Sequence, residues 1–383
     1  MKRLTLFAGV VALAFGVCSA ANAADIKIGF ISALTGPNAA EGIPYLKAAK
    51  TAIDMVPRAG GHTIKLITLN DNSDISQDVR DARKLISDDN VDVLISGSSV
   101  AGNLAVIAVG RETETPQIVM SPVHLPEERR GWTFSVSQPA SMMLKGVVDE
   151  MRRAGVHTVG FIGFSDAWGD LAYSELVKNA AADGLKVVAN ERYARSDVSV
   201  TGQVLKVMAA HPDAVITGTV GSAAALPYVE LAARGYRGKI YGTHGNVNAD
   251  FVRLAGKSIN GLVVPAPPGV VAEQLPENNP IRKVALAFQH KYKEVNGEPV
   301  RDTFAMQSQD AWLLIANAAS RVPASLQPGT KAYRVALRDA LATTRNVVGT
   351  LGVYDFKPGE VYGVDTRARV IVKLENGSWE LQH

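Results

Sequence analysis

Serine, histidine and acidic residues are the side chains of this sequence best equipped for chemistry. Two segments place a serine inside a glycine-led turn, Gly97-Ser98-Ser99-Val100-Ala101 and Gly163-Phe164-Ser165-Asp166-Ala167. A nucleophile elbow closes on glycine, and alanine stands there in both. The seven histidines, at 62, 124, 157, 211, 244, 290 and 383, are scattered, so neither serine has an evident base. Paired histidines at metal-ligand spacing are absent. Asp71-Asn72-Ser73-Asp74 begins like a calcium loop but lacks the sixth-position glycine and the closing glutamate. Gly256-Lys257-Ser258 matches the end of a phosphate loop, with Phe251 where the first glycine belongs. No metal and no cofactor is expected, and the thin inventory favours binding over catalysis. An exported serine hydrolase using Ser98, Ser99 or Ser165 is the remote alternative.

The chain has 383 residues, 47% of them hydrophobic, with 40 Lys+Arg against 37 Asp+Glu. That composition is globular, the length suggests two domains, and the near-neutral balance without a basic run argues against nucleic acid as a partner. Lys2-Arg3, the apolar run Leu4–Val17 and Ala21-Asn22-Ala23 read as a secretory signal peptide over residues 1–23, cleaved near Ala23. The only cysteine, Cys18, lies inside it, preceded by Val17 rather than the small residue that lipidation favours. The exported chain is then without disulfides and depends on its cores. No later apolar stretch is long enough to span a membrane.

Strand-like runs alternate with helical patterns. The first series has strands at Ile26–Ser32, Ile64–Leu69, Val91–Ile95 and Gln117–Met120, with helices over about 42–56, 76–87 and 102–113. A second series has strands starting near His157, Leu185, Ala214 and Lys239. Two runs of β-α units predict an α/β fold of two Rossmann-like lobes, each a parallel sheet covered by helices. The last third reads as helices over 279–296, 304–322 and 330–343. Strands at Gly349–Phe356 and Arg367–Leu374 follow, read as a hairpin joined through Lys357-Pro358-Gly359.

Ligands of open α/β sheets sit at the carboxyl ends of the strands, by helix N-termini. This directs attention to the loops 33–43, 96–103, 121–126, 164–170, 218–223 and 242–248. Ser96 to Asn103 is small and polar, follows a strand and opens a helix, so its backbone N–H groups suit an anion. Trp168 follows the helix-capping Asp166 and suits either a core or a stacking role. His244 lies between Gly242 and Gly245 and is as readily an ordinary loop residue.

Several segments together resemble the branched-chain amino-acid (Leu/Ile/Val) binding proteins, the periplasmic solute-binding components of ABC importers. They are Asp25–Gly29, Ser32–Pro37, Gln77–Ile86, Asp92–Ile95, Ile118–Pro122, Phe164–Gly169 and Gly235–Gly245. The resemblance covers essentially the whole chain after residue 23. It implies the type I periplasmic-binding fold, three crossovers forming a hinge, a ligand enclosed between lobes, no catalysis, and membrane permease subunits as partners. It also implies a monomer in the periplasm, with one lobe from 24–139 and 269–346 and the other from 140–268 and 347–383.

Carried over by position, the resemblance puts the carboxylate-holding loop at Ser99, Ala101, Gly102 and Asn103. A second wall falls at Val123, His124 and Leu125, an aromatic wall at Trp168, and a further loop at about Thr219 to Ser222, with Thr219 and Gly221 as its contacts. His244 stands where the family has the acid that pairs with an amino acid's ammonium. Glu41 is the one substitute at hand. A buried ammonium without an anion is costly. The pocket is therefore expected to take an aromatic carboxylate, of benzoate or phenylpropenoid type, with an amino acid as the alternative.

Overall fold

The computed structural model describes residues 24–300 and 302–382; the expected signal peptide, with Cys18, lies outside the described residues. The first lobe is built on β1 (Ile26–Ser32), β2 (Arg58–Ala59), β3 (His62–Asn70), β4 (Val93–Ser96), β5 (Gln117–Val119) and β6 (Thr133–Ser135). Helices α1 (Ala39–Met55), α2 (Ile75–Ser87) and α3 (Val100–Glu112) connect them. The order is β2-β3-β1-β4-β5-β6, parallel except for the β2–β3 pair. β4 is buried at every residue, as a parallel strand covered by helices on both faces must be.

The chain then crosses into a second lobe through α4 (Ala140–Arg153), β7 (Thr158–Phe164), α5 (Ala167–Ala182), β8 (Lys186–Tyr193), α6 (Thr201–Ala209), β9 (Ala214–Gly218), α7 (Ala225–Ala233), β10 (Lys239–Tyr241), α8 (Ala249–Ala255) and β11 (Val263–Ala266). It returns as α9 (Pro280–Asn296), α10 (Thr303–Ala319) and α11 (Lys331–Ala342), with α9 and α10 packed on α1. A two-residue ladder, β12 (Val347–Val348) with β13 (Val353–Tyr354), precedes the third crossing. β14 (Val370–Glu375) and β15 (Ser378–Leu381) then complete the second sheet, ordered β15-β14-β11-β10-β9-β7-β8. Its two late strands are antiparallel and the rest are parallel. The architecture is thus two-lobed α/β with mostly parallel sheets.

Two expectations need correction. The late hairpin does not pair 349–356 with 367–374. Val353–Tyr354 instead turns back onto Val347–Val348, while β14 pairs with β11 and β15. The tight turn is Asn376-Gly377, both at positive φ, the geometry that a two-residue hairpin demands. The third helix also starts at Val100 rather than Gly102, because Ser99 caps it.

One buried carboxylate fixes the return crossing. Asp310 on α10 is fully buried and accepts from Thr350 N–H at 2.6 Å, Leu351 N–H at 2.9 Å, the Thr350 hydroxyl at 2.8 Å and the Tyr354 hydroxyl at 2.8 Å. Asp310→Ala leaves these donors without a partner and should lower unfolding free energy by about 3 kcal/mol or more. Urea denaturation checks this, and a loss below about 1 kcal/mol would contradict the role given to Asp310.

Candidate functional site

The two lobes meet around a narrow cavity of about 30 Å³. Its walls come from loops at the carboxyl ends of the strands. The first lobe supplies Gly97, Ser99 and Val100 after β4, and Met120, Ser121 and Pro122 after β5. Glu41 and Tyr45 come from α1, and Phe304 and Gln307 from α10. The second lobe adds Trp168, Arg195, Val220, His244 and Gly245.

The polar wall of the first lobe is mostly main chain. The Ser99 hydroxyl accepts from Gly102 N–H at 2.9 Å, and the Ser99 carbonyl accepts from Asn103 N–H at 3.0 Å. The amides of Val100 and Ala101 remain as the first-turn donors, which a helix cannot satisfy itself. Ser121 is held beside them. Its hydroxyl donates to Gly97 O at 2.8 Å and accepts from the Asn103 amide. Tyr45 donates to Gln307 Oε1 at 2.8 Å, and Gln307 donates on to the Ser137 hydroxyl at 3.2 Å.

In the second lobe the Asp166 carboxylate caps α5, accepting from Trp168 N–H and Gly169 N–H at 3.0 Å each. This turns the Trp168 ring into the cavity, where it meets His244 edge-on with ring centroids 5.6 Å apart. Both side chains are nearly fully buried, yet Trp168 Nε1 and His244 Nδ1 have no partner among the described residues. Buried polar atoms are normally paired, which sets these two apart in the cavity wall.

The lobes are fastened at the first turn of α1. Arg195, in the loop after β8, donates from Nε to Asp166 at 2.7 Å. Across the cleft its Nη1 donates to Glu41 at 3.0 Å and to Asn38 at 3.1 Å. Gly221, at φ +64°, presses its backbone so near Glu41 that an added Cβ would stand 3.0 Å from Oε1. Beside this, Pro44 lacks an N–H, so the carbonyl of Ala40 loses its helical donor. Asn248 of the second lobe supplies one at 3.0 Å and donates to Asp302 at 2.6 Å.

The expected site residues divide accordingly. Glu41, Ser99, Trp168 and His244 line the cavity, and Gly221 lies against Glu41. Ala101 and Gly102 stand in the first turn of α3 behind Val100, and Gly102 faces Asp78 so closely that a Cβ would meet its carboxylate at 2.1 Å. Asn103 braces Ser121 from behind. Val123 exchanges hydrogen bonds with the Tyr362 hydroxyl, Leu125 is core, and His124 is exposed. Thr219 is buried and bonded to Thr217. Ser98 donates toward no histidine; its hydroxyl accepts from Ala33 N–H at 2.7 Å. The sequence reading passed over Arg195, Tyr45, Phe304 and Gln307. Arg195 was within reach, because the loop after β8 is also a carboxyl-end loop.

Burial raises the Glu41 carboxyl from 4.5 to about 7 although Arg195 pulls it down, and burial lowers the His244 imidazole from 6.5 to about 4. The imidazole is therefore neutral at pH 7. The shifts act oppositely on stability. Acidification from about 6.5 to about 4 protonates His244 in the unfolded chain first, so stability is lost. Glu41 contributes stability below about 4.5, and this fades as pH rises through about 7. Relative to wild type, His244→Gln should gain stability as pH falls below about 6.5, and Glu41→Gln as pH rises from about 4.5 to about 7. Thermal melts of ligand-free protein across that range measure both, and flat differences would contradict the assigned burial.

A family description, periplasmic binding protein, matches residues 25–367. The Leu/Ile/Val-binding protein of Escherichia coli K12 is 24% identical over 331 residues, covering 82% of this chain and 85% of its own. An extracellular ligand-binding receptor from Rhodopseudomonas palustris HaA2 superposes with a TM-score of 0.90 at 37% identity, covering 94% of this chain and 100% of that one. A solute-binding protein of an R. palustris ABC transporter, solved with benzoate, has a TM-score of 0.78 at 20% identity, covering 93% and 95%, and so shares the fold. With its fold, its interlobe cavity and a match over nearly its full length, the chain belongs to the periplasmic binding protein family, a family of solute-binding proteins and not of enzymes.

Proposed function

We propose that this protein captures a small aromatic carboxylate between its lobes and presents it to the membrane permease subunits of an ABC importer. It would do so in the periplasm, after loss of residues 1–23. The observation that carries the ligand class is the chemistry of the buried wall. Trp168 Nε1 and the neutral His244 are unpartnered beside an apolar surface of Met120, Val220 and Phe304. A flat ring suits that surface, and an oxygen suits the indole N–H. The ligand's carboxylate would accept from the Val100 and Ala101 amides, in the field of the α3 N-terminus. The benzoate complex of the structural relative agrees with this class.

Capture would begin on the first lobe and end with closure of the second. Closure is a population shift toward the state that the ligand bridges. Lobe boundaries at 139/140 and 268/269 suit this motion, because each falls near a passage of the chain between sheets, whereas 346/347 precedes a segment, 350–362, that still bonds to Asp310 and Val123 of the first lobe. An amino-acid ligand is the second reading, favoured by Glu41 in the wall and by the relatives named for Leu/Ile/Val binding. On that reading Glu41 would pair with the ammonium.

A thermal-shift panel separates the two. Benzoate and cinnamate at about 100 times Kd should add about 2.7 kcal/mol of stability and raise the melting temperature, with no rise for leucine or valine. Trp168→Ala should weaken aromatic-acid binding by about tenfold or more. A rise with leucine that Glu41→Gln removes, and none with aromatic acids, would replace this proposal by the amino-acid reading.

A further inference from the structure

The Arg195–Glu41 pair does not use all of its hydrogen-bonding capacity. Arg195 spends Nε on Asp166 and Nη1 on Asn38 and Glu41, and Nη2 has no partner among the described residues. Glu41 accepts through Oε1, and Oε2 has no partner among the described residues. Both side chains are largely withdrawn from water, at 14% and 6% exposure, and both line the cavity. Neither Nη2 nor Oε2 is among the fully buried unpartnered atoms, so both reach the water of the cleft, and a ligand that displaces this water must serve both or leave two charged groups unpaired.

We infer that Glu41 and Arg195 together read a hydroxyl group on the ligand, which makes a hydroxy-substituted aromatic acid the preferred occupant. This rests on the aromatic-acid reading above and deepens it. The argument is one of matching donors with acceptors. A second carboxylate would accept from Nη2 but repel Glu41. An ammonium would donate to Glu41 but repel Arg195. An ether oxygen only accepts, and a bare ring edge does neither. A hydroxyl donates to Oε2 and accepts from Nη2 in one position, using the lone pairs and proton that every hydroxyl carries. Because each bond is to an ionised partner, it belongs to the stronger class of hydrogen bonds.

The pair is also held in place. Asp166 fixes the guanidinium from the second lobe while it caps the helix that carries Trp168. Gly221 closes on Glu41 from the other side. Neither charge can turn far toward a differently shaped ligand without giving up an existing bond. A site built to bond a hydroxyl rejects the analogue that lacks it far more strongly than an apolar pocket rejects a missing methylene.

The test is isothermal titration of the full chain without its leader at pH 8, using benzoate, 3- and 4-hydroxybenzoate, and 4-methoxybenzoate. The expected result is that one hydroxybenzoate binds at least tenfold more tightly than benzoate and that the methoxy compound gains nothing. In Arg195→Lys and in Glu41→Gln, the ratio of benzoate to hydroxybenzoate Kd should fall below threefold. A role confined to fastening the lobes predicts something else: all the acids weaken in parallel and the ratio persists. That result, or a wild-type ratio near one, overturns the inference while leaving the aromatic-acid reading intact. Failure of all four acids to bind, with binding of leucine instead, overturns the aromatic-acid reading and this inference with it.

Discussion

The closed form of this protein depends on a guanidinium removed from water between carboxylates of two different lobes. Taking such charges out of solvent costs roughly several kcal/mol per ion before any attraction is counted. The balance is visible at Glu41. Desolvation outweighs the adjacent Arg195 and raises the carboxyl to about 7. An ion pair whose attraction falls short of the cost of its burial makes a weak fastening, which is what a cleft that must reopen requires. The neutral contact beside it is complementary. Pro44 removes a helical donor, and the bond from Asn248 to Ala40 joins the lobes without burying a further charge.

The same economy of charge shapes the ligand wall. His244 carries no charge at neutral pH, because burial holds its imidazole at about 4. On the proposed reading the anion-binding element is the first turn of α3, where amides and the helix dipole would act in place of a lysine. Fixed dipoles attract a carboxylate with little of the desolvation cost of a buried cation. They also do not grip every anion that enters. Selectivity then falls to shape and to the few polar atoms that lack partners, Trp168 Nε1, His244 Nδ1 and those of the Arg195–Glu41 pair.

Much of the fold was legible because buried parallel strands are largely apolar runs, and β1, β7 and β9 announce themselves in that way. The pairing of β14 with β11 was not, since it joins residues more than a hundred positions apart and no local pattern encodes it. The start of α3 was missed by two residues because Ser98 and Ser99 are adjacent, and only the three-dimensional turn decides which of them caps. That shift matters for the site, since it leaves Val100 and Ala101 with the free amides. Backbone donors have no side-chain signature, so position alone could not separate them from Gly102 and Asn103. Glu41, Trp168 and His244 were legible because each is conspicuous in a small-residue loop. Arg195 was hidden among other loop charges, and only its partner across the cleft distinguishes it.

Residues read as a ligand wall prove instead to tie the pocket to the hinge. Val123 exchanges hydrogen bonds with Tyr362 at 2.8 and 2.7 Å, and Tyr362 lies in the third crossing, bridged to Ser135. Tyr45 reaches Ser137, at the first crossing, through Gln307. Asp310, one turn along α10 from Gln307, holds Thr350 and Tyr354 before the third crossing. The first-lobe wall and the strands that bend on closure therefore share one hydrogen-bonded frame. On the proposed reading, a ligand seated beside Ser99, Val100 and Ser121 would meet a braced wall, and lobe motion would be left to the second lobe. The residues that second lobe brings to the cleft, Trp168, Arg195 and His244, each carry an unmet hydrogen bond, and the first lobe answers with Glu41 Oε2 and the amides of Val100 and Ala101. The unsatisfied chemistry thus faces the cleft from both lobes, where a closed and occupied cleft would complete it.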